Sequence, residues 1–204
     1  MKLTIIGASG HGKVVAGIAE LCGYDKIDFL DDNESLTRCS KWPVRGKLSL
    51  ARETDHDLFV AIGHAATRKR IVESLPGKHF ATLIHPSAVI GIGVTLGEGT
   101  VVMPGAVINS DAALGAHCIV NTCASIDHDC RIGNYVHVAV GAHVCGMVLL
   151  DDRIWVGAGA TVINNLSICS DCMIGAGAAV VKTISVPGTY VGVPAQIHDK
   201  RKSL

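Results

Sequence analysis

Aromatic side chains are scarce in this sequence of 204 residues, and glycine is abundant. Phe, Trp and Tyr together make up only 4% of the chain, whereas 23 residues are glycine. A core with so few rings has to be filled by many medium-sized aliphatic side chains. Such a core favours a regular scaffold built from repeated units.

The chain also lacks an excess of charge of either sign and lacks long apolar runs. Lysine plus arginine and aspartate plus glutamate number 18 each, so the formal net charge is zero and predicts no nucleic-acid partner. No apolar run approaches the roughly 20 residues that span a bilayer, and the apolar start of the chain is too short for a signal peptide. We therefore expect a cytoplasmic protein with no membrane span, whose eight cysteines are reduced thiols.

Residues 84–185 carry a repeat of six residues. The first position of each hexad is always Ile, Leu or Val: Ile84, Ile90, Leu96, Val102, Ile108, Leu114, Val120, Ile126, Ile132, Val138, Val144, Leu150, Val156, Val162, Ile168, Ile174 and Val180. The second position is often glycine, and the fifth is small or aliphatic, as in Ala106 and Ala124. A period of six fits neither a helix face nor a long alternating strand. It predicts short strands separated by bends.

Short strands with a bend every six residues form the sides of a prism, which is a parallel β-helix. We expect the first and fifth side chains of each hexad to point inward and to stack on their equivalents in the next coil. Three hexads then complete one coil. Glycine near the bends is explained by the φ values that it adopts and that other residues resist.

Residues 1–80 lack the hexad and indicate a small α/β domain. The predicted elements are strands over 3–6, 27–30 and 58–63 and helices over 13–22 and 65–75. The alternation of strand and helix implies a small parallel sheet of Rossmann-like type. We therefore expect a mixed α/β fold with two domains, 1–80 and 81–204, the second ending in a C-terminal cap.

A glycine-rich turn, Gly7-Ala8-Ser9-Gly10-His11-Gly12, precedes the first predicted helix. The free N–H groups and the dipole of that helix face any bound anion. Asp31 or Asp32, at the end of the next strand, could accept hydrogen bonds from a ribose or a base. A purely structural turn is the alternative, but His11 favours a binding role because a tight turn has no need of an imidazole. The small domain favours one nucleotide, such as UDP on a sugar, over NAD.

Histidine is the natural general base, because its ordinary pKa lies close to neutrality. Among the ten histidines, His128 differs because it lies at an outward hexad position between two carboxylates, Asp127 and Asp129. A carboxylate bonded to one ring nitrogen fixes the tautomer and raises the basicity of the other nitrogen. His117 and His143 also lie at outward positions, where we expect exposed polar side chains. A single CxxC pair has no partner pair, so no metal is expected.

These motifs resemble a known family. The hexads resemble those of the hexapeptide-repeat acyltransferases, and the segments Gly7–Gly12, Phe29-Leu30-Asp31-Asp32 and Ala61-Ile62-Gly63 resemble one subfamily of sugar O- and N-acetyltransferases. That subfamily holds the nucleotide-linked amino-sugar N-acetyltransferases of the bacillosamine pathway and the related sialic acid O-acetyltransferases. The resemblance implies a left-handed parallel β-helix, acetyl-CoA as cosubstrate, and a homotrimer with active sites between neighbouring prisms.

The same resemblance assigns roles to individual residues. It places the general base on His128 and the neighbouring acid on Asp129, with Asp127 as the alternative because the family acid is commonly Glu. It places the contacts to acetyl-CoA on His137, Gly146, Ala158 and Ala176. The contact at Gly146 is a backbone N–H that binds the oxyanion. It places the contacts to the UDP-sugar on Ser9, Gly10, His11, Asp31, Asp32 and Gly63.

We therefore expect direct transfer of an acetyl group from acetyl-CoA to the 4-amino group of a UDP-linked trideoxy amino-sugar of the bacillosamine type. The alternatives are O-acetylation of sialic acid and N-acetylation of a GDP- or dTDP-linked amino-sugar of the perosamine type. A remote alternative is a non-catalytic β-helix or a zinc hydratase on the same prism. The basic segment Lys200-Arg201-Lys202 is expected to be a solvated tail, with contacts to the CoA phosphates as the alternative.

Overall fold

The structure is a computed structural model that describes residues 1–198. The N-terminal strands are β1 (Lys2–Ile6), β2 (Lys26–Leu30), β3 (Arg38–Cys39), β4 (Trp42–Gly46) and β5 (Asp57–Val60). The helices are α1 (Gly10–Leu21), α2 (Ala65–Glu73) and a 3₁₀ helix, Leu48–Glu53. The strands form one sheet in the order β3-β4-β2-β1-β5, parallel except for β3, which pairs antiparallel with β4.

The predicted alternation of strand and helix is confirmed, but several bounds were wrong. Helix α1 begins at Gly10 rather than at residue 13, so His11 lies in its first turn. The third predicted strand ends at Val60, and the chain beyond it is a loop. Strands β3 and β4 were missed because β3 has two residues and β4 contains Pro43 and Gly46, which are depleted in strands.

The second part of the chain is a parallel β-helix of two-residue strands. In chain order they are β6 (Leu83–Ile84), β7 (Val89–Ile90), β8 (Thr95–Leu96), β9 (Val101–Val102), β10 (Val107–Ile108), β11 (Ala113–Leu114), β12 (Ile119–Val120), β13 (Ser125–Ile126), β14 (Arg131–Ile132), β15 (His137–Val138), β16 (His143–Val144), β17 (Leu149–Leu150), β18 (Trp155–Val156), β19 (Thr161–Val162), β20 (Ser167–Ile168), β21 (Met173–Ile174) and β22 (Ala179–Val180). Two further strands follow, β23 (Thr189–Val191) and β24 (Gln196–Ile197).

Successive strands lie on three sheets in turn, so the chain winds around a three-sided prism. The first face contains β6, β9, β12, β15, β18 and β21, and β23 and β24 extend it. The second face contains β7, β10, β13, β16, β19 and β22, and the third contains β8, β11, β14, β17 and β20. We call the row of corners between the first and second faces the near edge. The row between the second and third faces is the far edge, which lies opposite the first face.

The first and fifth side chains of the hexads fill the prism, as predicted. Ile126 and Cys130, for example, belong to one buried cluster that runs through the coils. Ile84 and Ile90 are exceptions, with 37% and 36% of their surface exposed. They lie in the first coil, where no earlier coil covers them.

The explanation expected for the hexad glycines is confirmed at the fourth position, as in Gly93 and Gly99, but was wrong at the second. Positive φ values occur at the fourth hexad position, in Asp129 and Asn165 as well as in Gly93, and not at the second position. At Gly97, a second position, an added Cβ would lie 2.4 Å from the backbone nitrogen of Ala116 in the next coil. Glycine at the second position is therefore required because neighbouring coils approach closely there.

The N-terminal domain packs on the first face of the prism. The outward side chains of Leu83, Val101 and Ile119 share a buried cluster with Val15 and Ala19 of α1. The two parts therefore share an apolar core, which is separate from the cluster inside the prism. The boundary between residues 80 and 81 stays a prediction, and the basic segment 200–202 lies outside the described residues.

Candidate active site

His128 lies at a corner of the far edge, between β13 and β14. Half of its side chain is exposed, and its Nδ1 lies 2.8 Å from Oδ2 of Asp129. This hydrogen bond is the main reason why the pKa of His128 is raised above the ordinary histidine value. Because Asp129 holds Nδ1, the imidazole presents Nε2 as its second nitrogen. This is the arrangement that a general base requires.

The two carboxylates beside His128 have different partners. Oδ1 of Asp127 accepts hydrogen bonds from the backbone N–H of His128, at 2.8 Å, and from Nδ2 of Asn109, at 2.7 Å. Asp127 therefore shapes the corner, whereas Asp129 is the residue that contacts the imidazole. Aspartate is long enough for this contact although it is one methylene shorter than glutamate.

Gly146 lies directly against the imidazole, one coil further along the far edge. A Cβ added at Gly146 would lie 2.6 Å from Nε2 of His128, so only glycine fits without moving the ring. Within residues 1–198 the N–H of Gly146 has no backbone acceptor. A free donor beside a base can bind the oxygen of a reacting carbonyl as it becomes negative.

The N-terminal domain has a crevice of about 510 Å³ at the carboxyl ends of β1, β2 and β5. Its lining includes Asp31 and Asp32, which were predicted to contact the nucleotide, and Thr67 and Arg70, which sequence reasoning had missed. The other predicted contacts do not line it: Ser9, Gly10, His11 and Gly63. Residues at the start of the helix after a strand are candidates for this edge of a parallel sheet, and this signal could have found Thr67. Arg70 lies in the last turn of α2, which this signal does not reach. The position of the crevice is typical of nucleotide sites in such sheets.

Asp31 and Asp32 also organise the loops around the crevice. Oδ2 of Asp31 accepts a hydrogen bond from the N–H of Ala8 at 2.8 Å, which ties the glycine-rich turn to the end of β2. Oδ1 of Asp32 accepts one from the N–H of Leu48 at 3.0 Å. Both carboxylates therefore have a structural task, and each retains lone pairs for a ligand.

The glycine-rich turn leaves the start of α1 open. Ser9 is the N-cap residue, and its side chain makes no capping hydrogen bond. Gly12 allows the helix to approach the turn, because a Cβ there would lie 2.1 Å from the carbonyl oxygen of Gly7. The first N–H groups of α1, beginning at Gly10 and His11, are therefore available to an anion.

His11, Gly63 and His137 meet where the domain contacts the first face. Only 5% of the surface of His137 is exposed, and its ring centroid lies 4.5 Å from that of Trp155. Burial, and then the charge of Arg68, lower the pKa of His137 to about 3 and that of His11 to about 4. Both rings are therefore neutral near pH 7. Nε2 of His11 and Nδ1 of His137 have no hydrogen-bond partner in residues 1–198.

The residues predicted to contact acetyl-CoA do not lie together in one chain. Gly146 is on the far edge, whereas Ala158 and Ala176 are exposed corners of the near edge. His137 lies on the first face, beside the loop that contains Gly63. Only Gly146 adjoins His128.

His117 was expected to be exposed and is instead buried, with 3% of its surface accessible. Its ring stacks on Tyr135 at 5.2 Å and meets the edge of Phe80 at 5.0 Å. The N-terminal domain covers this corner, which the hexad pattern of the prism alone does not reveal. His143 is exposed, as expected, and its Nδ1 lies 2.8 Å from the hydroxyl of Ser125.

The far edge and the crevice lie on opposite sides of the prism. His128 and Gly146 are at the far edge, and the N-terminal domain covers the first face, which is opposite. One chain therefore does not bring its own His128 to its own crevice. In residues 1–198 no three His, Cys, Asp or Glu side chains are grouped to hold a metal ion. None of the helices described there has the length and hydropathy to cross a membrane.

Comparison with known proteins agrees with these features. Residues 2–75 match the family described as the PglD N-terminal domain. Over 108 residues the chain is 38% identical to UDP-N-acetylbacillosamine N-acetyltransferase of Bacillus subtilis strain 168. That alignment covers 49% of this chain and 50% of that protein, so it spans about half the length of the curated relative.

Two solved structures resemble nearly the whole chain. The acetyltransferase domain of PglB from Neisseria gonorrhoeae FA1090, in complex with acetyl coenzyme A, is 36% identical, with a TM-score of 0.92 over 97% of this chain and 98% of that chain. PerB from Caulobacter crescentus, in complex with CoA and GDP-perosamine, is 36% identical, with a TM-score of 0.91 over 98% of each chain. The chain belongs to the family of hexapeptide-repeat sugar acetyltransferases.

Proposed function

We propose that this protein transfers an acetyl group from acetyl-CoA to the amino group of a nucleotide-linked amino-sugar. The observation that carries the proposal is the exposed pair of His128 and Asp129 against Gly146, a base beside a free N–H donor. The names of the relatives supply the two substrates, an acyl-CoA and a sugar nucleotide with an amine. The crevice beside Asp31 and Asp32 is the place for the nucleotide.

The proposed reaction is a direct transfer. The amine nitrogen of the sugar attacks the carbonyl carbon of the thioester, and Nε2 of His128 takes a proton from that amine. The N–H of Gly146 stabilises the negative oxygen of the intermediate. The C–S bond then breaks, the new C–N bond remains, and the CoA thiolate takes the proton from Nε2 of His128, which restores the base. General base catalysis of this kind contributes about 10²–10⁴-fold to a rate.

We also propose that the active site forms between chains of a homotrimer. His128 and the crevice are on opposite sides of one prism, so a neighbouring chain has to supply the base to each bound sugar. The small corners at Ala158 and Ala176 then line the channel for pantetheine from a second prism. A cytoplasmic site of action is supported by the eight cysteines, all of which are free thiols.

For the nucleotide, we propose UDP and, for the sugar, a 4-amino-sugar of the bacillosamine type. The relative from Bacillus subtilis supports this choice. A GDP-linked sugar is the second candidate, because PerB is 36% identical to this chain over 98% of its length and its structure holds GDP-perosamine.

The test is a thiol-release assay with acetyl-CoA and a panel of UDP-, GDP- and dTDP-linked 4-amino-sugars. We expect one nucleotide to be preferred and the variant His128→Asn to lower kcat by about 10²–10⁴-fold. His79→Asn is the matched control, because His79 also pairs with an aspartate, Asp57, at 2.7 Å but lies in the N-terminal domain. Thiol release that needs no sugar nucleotide, or a His128→Asn rate equal to that of the control, would contradict the proposal.

A further inference from the structure

Arg68, in α2, is the largest fully buried side chain in residues 1–198, with 1% of its surface exposed. Its Nη1 donates to the carbonyl oxygens of Ile62 and Gly63, at 2.7 and 2.8 Å. Its Nε donates to the carbonyl oxygen of His117 at 2.9 Å, and its Nη2 to that of Tyr135 at 2.7 Å. Four backbone groups from two parts of the chain are therefore held by one guanidinium.

These four carbonyl groups belong to two functional regions. Ile62 and Gly63 form the loop after β5, and Ile62 lines the crevice. His117 and Tyr135 are corners of successive coils, where the third face meets the first. Arg68 therefore fixes the orientation of the crevice loop on the prism. Lysine could not do this, because an ammonium group has three donors and lacks the planar fork that reaches all four oxygens.

The charge of Arg68 has no carboxylate partner in residues 1–198. The ion pairs of the described chain do not include this residue. Burial lowers the pKa of Arg68 only to about 10, so the group remains charged at neutral pH. A buried cation without an opposite charge is costly, and its field extends further than that of a solvated one.

The field of this cation acts on the site. After burial, Arg68 is the next cause that lowers the pKa of both His11 and His137. His11 is in the first turn of α1, whose free N–H groups also favour an anion. The Ile62–Gly63 loop therefore lies between the crevice, which Ile62 lines, and the neutral imidazole of His137, which is beside Gly63.

We propose that Arg68 is a positioning residue for the acceptor: its fork holds the Ile62–Gly63 loop on the prism, and its unpaired charge attracts the diphosphate of the sugar nucleotide. The inference rests on the proposed function, since it takes a nucleoside diphosphate as the ligand of the crevice. It adds a residue that does not contact the reacting atoms and that none of the sequence motifs includes.

The experiment compares Arg68→Lys, which keeps the charge and loses the fork, with Arg68→Met, which loses both. Lys69→Met is the control, since Lys69 is the next residue of α2 and pairs on the surface with Glu73. UDP and GDP are the probes for binding, measured by calorimetry, and acetyl-CoA binding reports an intact prism. We expect the Kd of the preferred nucleotide to rise about tenfold or more in Arg68→Lys and further in Arg68→Met, which matches the loss of charge-assisted hydrogen bonds.

A second readout separates positioning from a merely structural role. By NMR titration, the pKa of His137 should rise in Arg68→Met and remain low in Arg68→Lys, because only the first variant removes the charge. If both variants lose thermal stability but retain the nucleotide Kd and the His137 pKa, Arg68 is only structural and the inference is wrong. If the wild type binds no nucleoside diphosphate, the proposed function fails together with this inference. If the wild type binds one and Arg68→Lys and Arg68→Met both bind it equally well, only this inference fails.

Discussion

Asp129 combines two tasks at a single corner of the prism. Its backbone has a φ of 58°, in the left-handed region. The residue at the fourth position of each neighbouring hexad adopts the same region. Aspartate enters this region at lower cost than most residues, because its short side chain can bond locally. The same side chain reaches Nδ1 of His128 at 2.8 Å. The repeat therefore provides the bend, and the residue type provides the hydrogen-bond partner of His128.

Asp129→Asn should retain the corner and remove the charge. The pKa of His128 is raised chiefly by the hydrogen bond to Asp129, so the ring keeps its proton up to a higher pH than an ordinary histidine. In the variant that pKa falls, and the rise of kcat with pH should begin at lower pH. The plateau should fall by about tenfold or more, because the weaker base is also less well oriented. The measurement is kcat from about pH 5 to about pH 9, a range that brackets the ordinary pKa of histidine.

Asp111→Asn is the matched control for this profile. Asp111 occupies the equivalent corner one coil earlier, with a φ of 61°, and no imidazole is bonded to it in the described chain. The control profile should equal that of the wild type. An acid limb that stays in place in Asp129→Asn would show that His128 is not the titrating base.

Sequence reasoning succeeded at this scale where the contact is local. The pair of His128 and Asp129 could be predicted because the two residues are adjacent, and the hexad register showed which way they face. The surroundings of His137 could not, because they depend on a domain that begins far away in the chain. Arg68 gave no signal either, since it stands among other basic residues in Thr67-Arg68-Lys69-Arg70 and only packing distinguishes it.

Outward residues of the first face reveal which side of the prism is covered. Taken at every eighteenth position, they are Leu83, Val101, Ile119, His137, Trp155 and Met173. The first three are fully buried beneath the N-terminal domain, Trp155 is half-buried, and Met173 is exposed. This eighteen-residue spacing was present in the sequence. Analysis by a period of six did not reveal it, because that period does not distinguish the three faces.

Ile119→Asn should weaken the contact between the domain and the prism. The change removes a fully buried apolar side chain and places an amide in the shared core, so the free energy of unfolding should fall by about 2–5 kcal/mol. Thr95→Asn is the control, since Thr95 lies at an outward and exposed position of the third face. Its effect should stay within about 0.5 kcal/mol. Urea denaturation at one protein concentration measures both, and equal midpoints would contradict the packing described here.

At the scale of the whole molecule, the prism separates the two halves of the reaction. The crevice lies over the first face, and the base lies at the far edge on the opposite side. The hexads predicted the prism, and the alternation of strands and helices predicted the domain beside it. Which face the domain covers was not predicted, because that choice depends on the apolar residues of one face. Under the proposed function, acetyl transfer needs two chains.

Complementation between two inactive variants tests this claim most directly. One chain carries His128→Asn and retains its crevice, and the other carries Asp31→Ala and retains its base. Each variant alone should be inactive. Co-expressed in equal amounts with different tags, they should regain about a quarter of the wild-type kcat, because a neighbouring pair has both intact halves about once in four arrangements. Mixed trimers that form, as shown by both tags, and still show no activity would contradict an active site shared between chains.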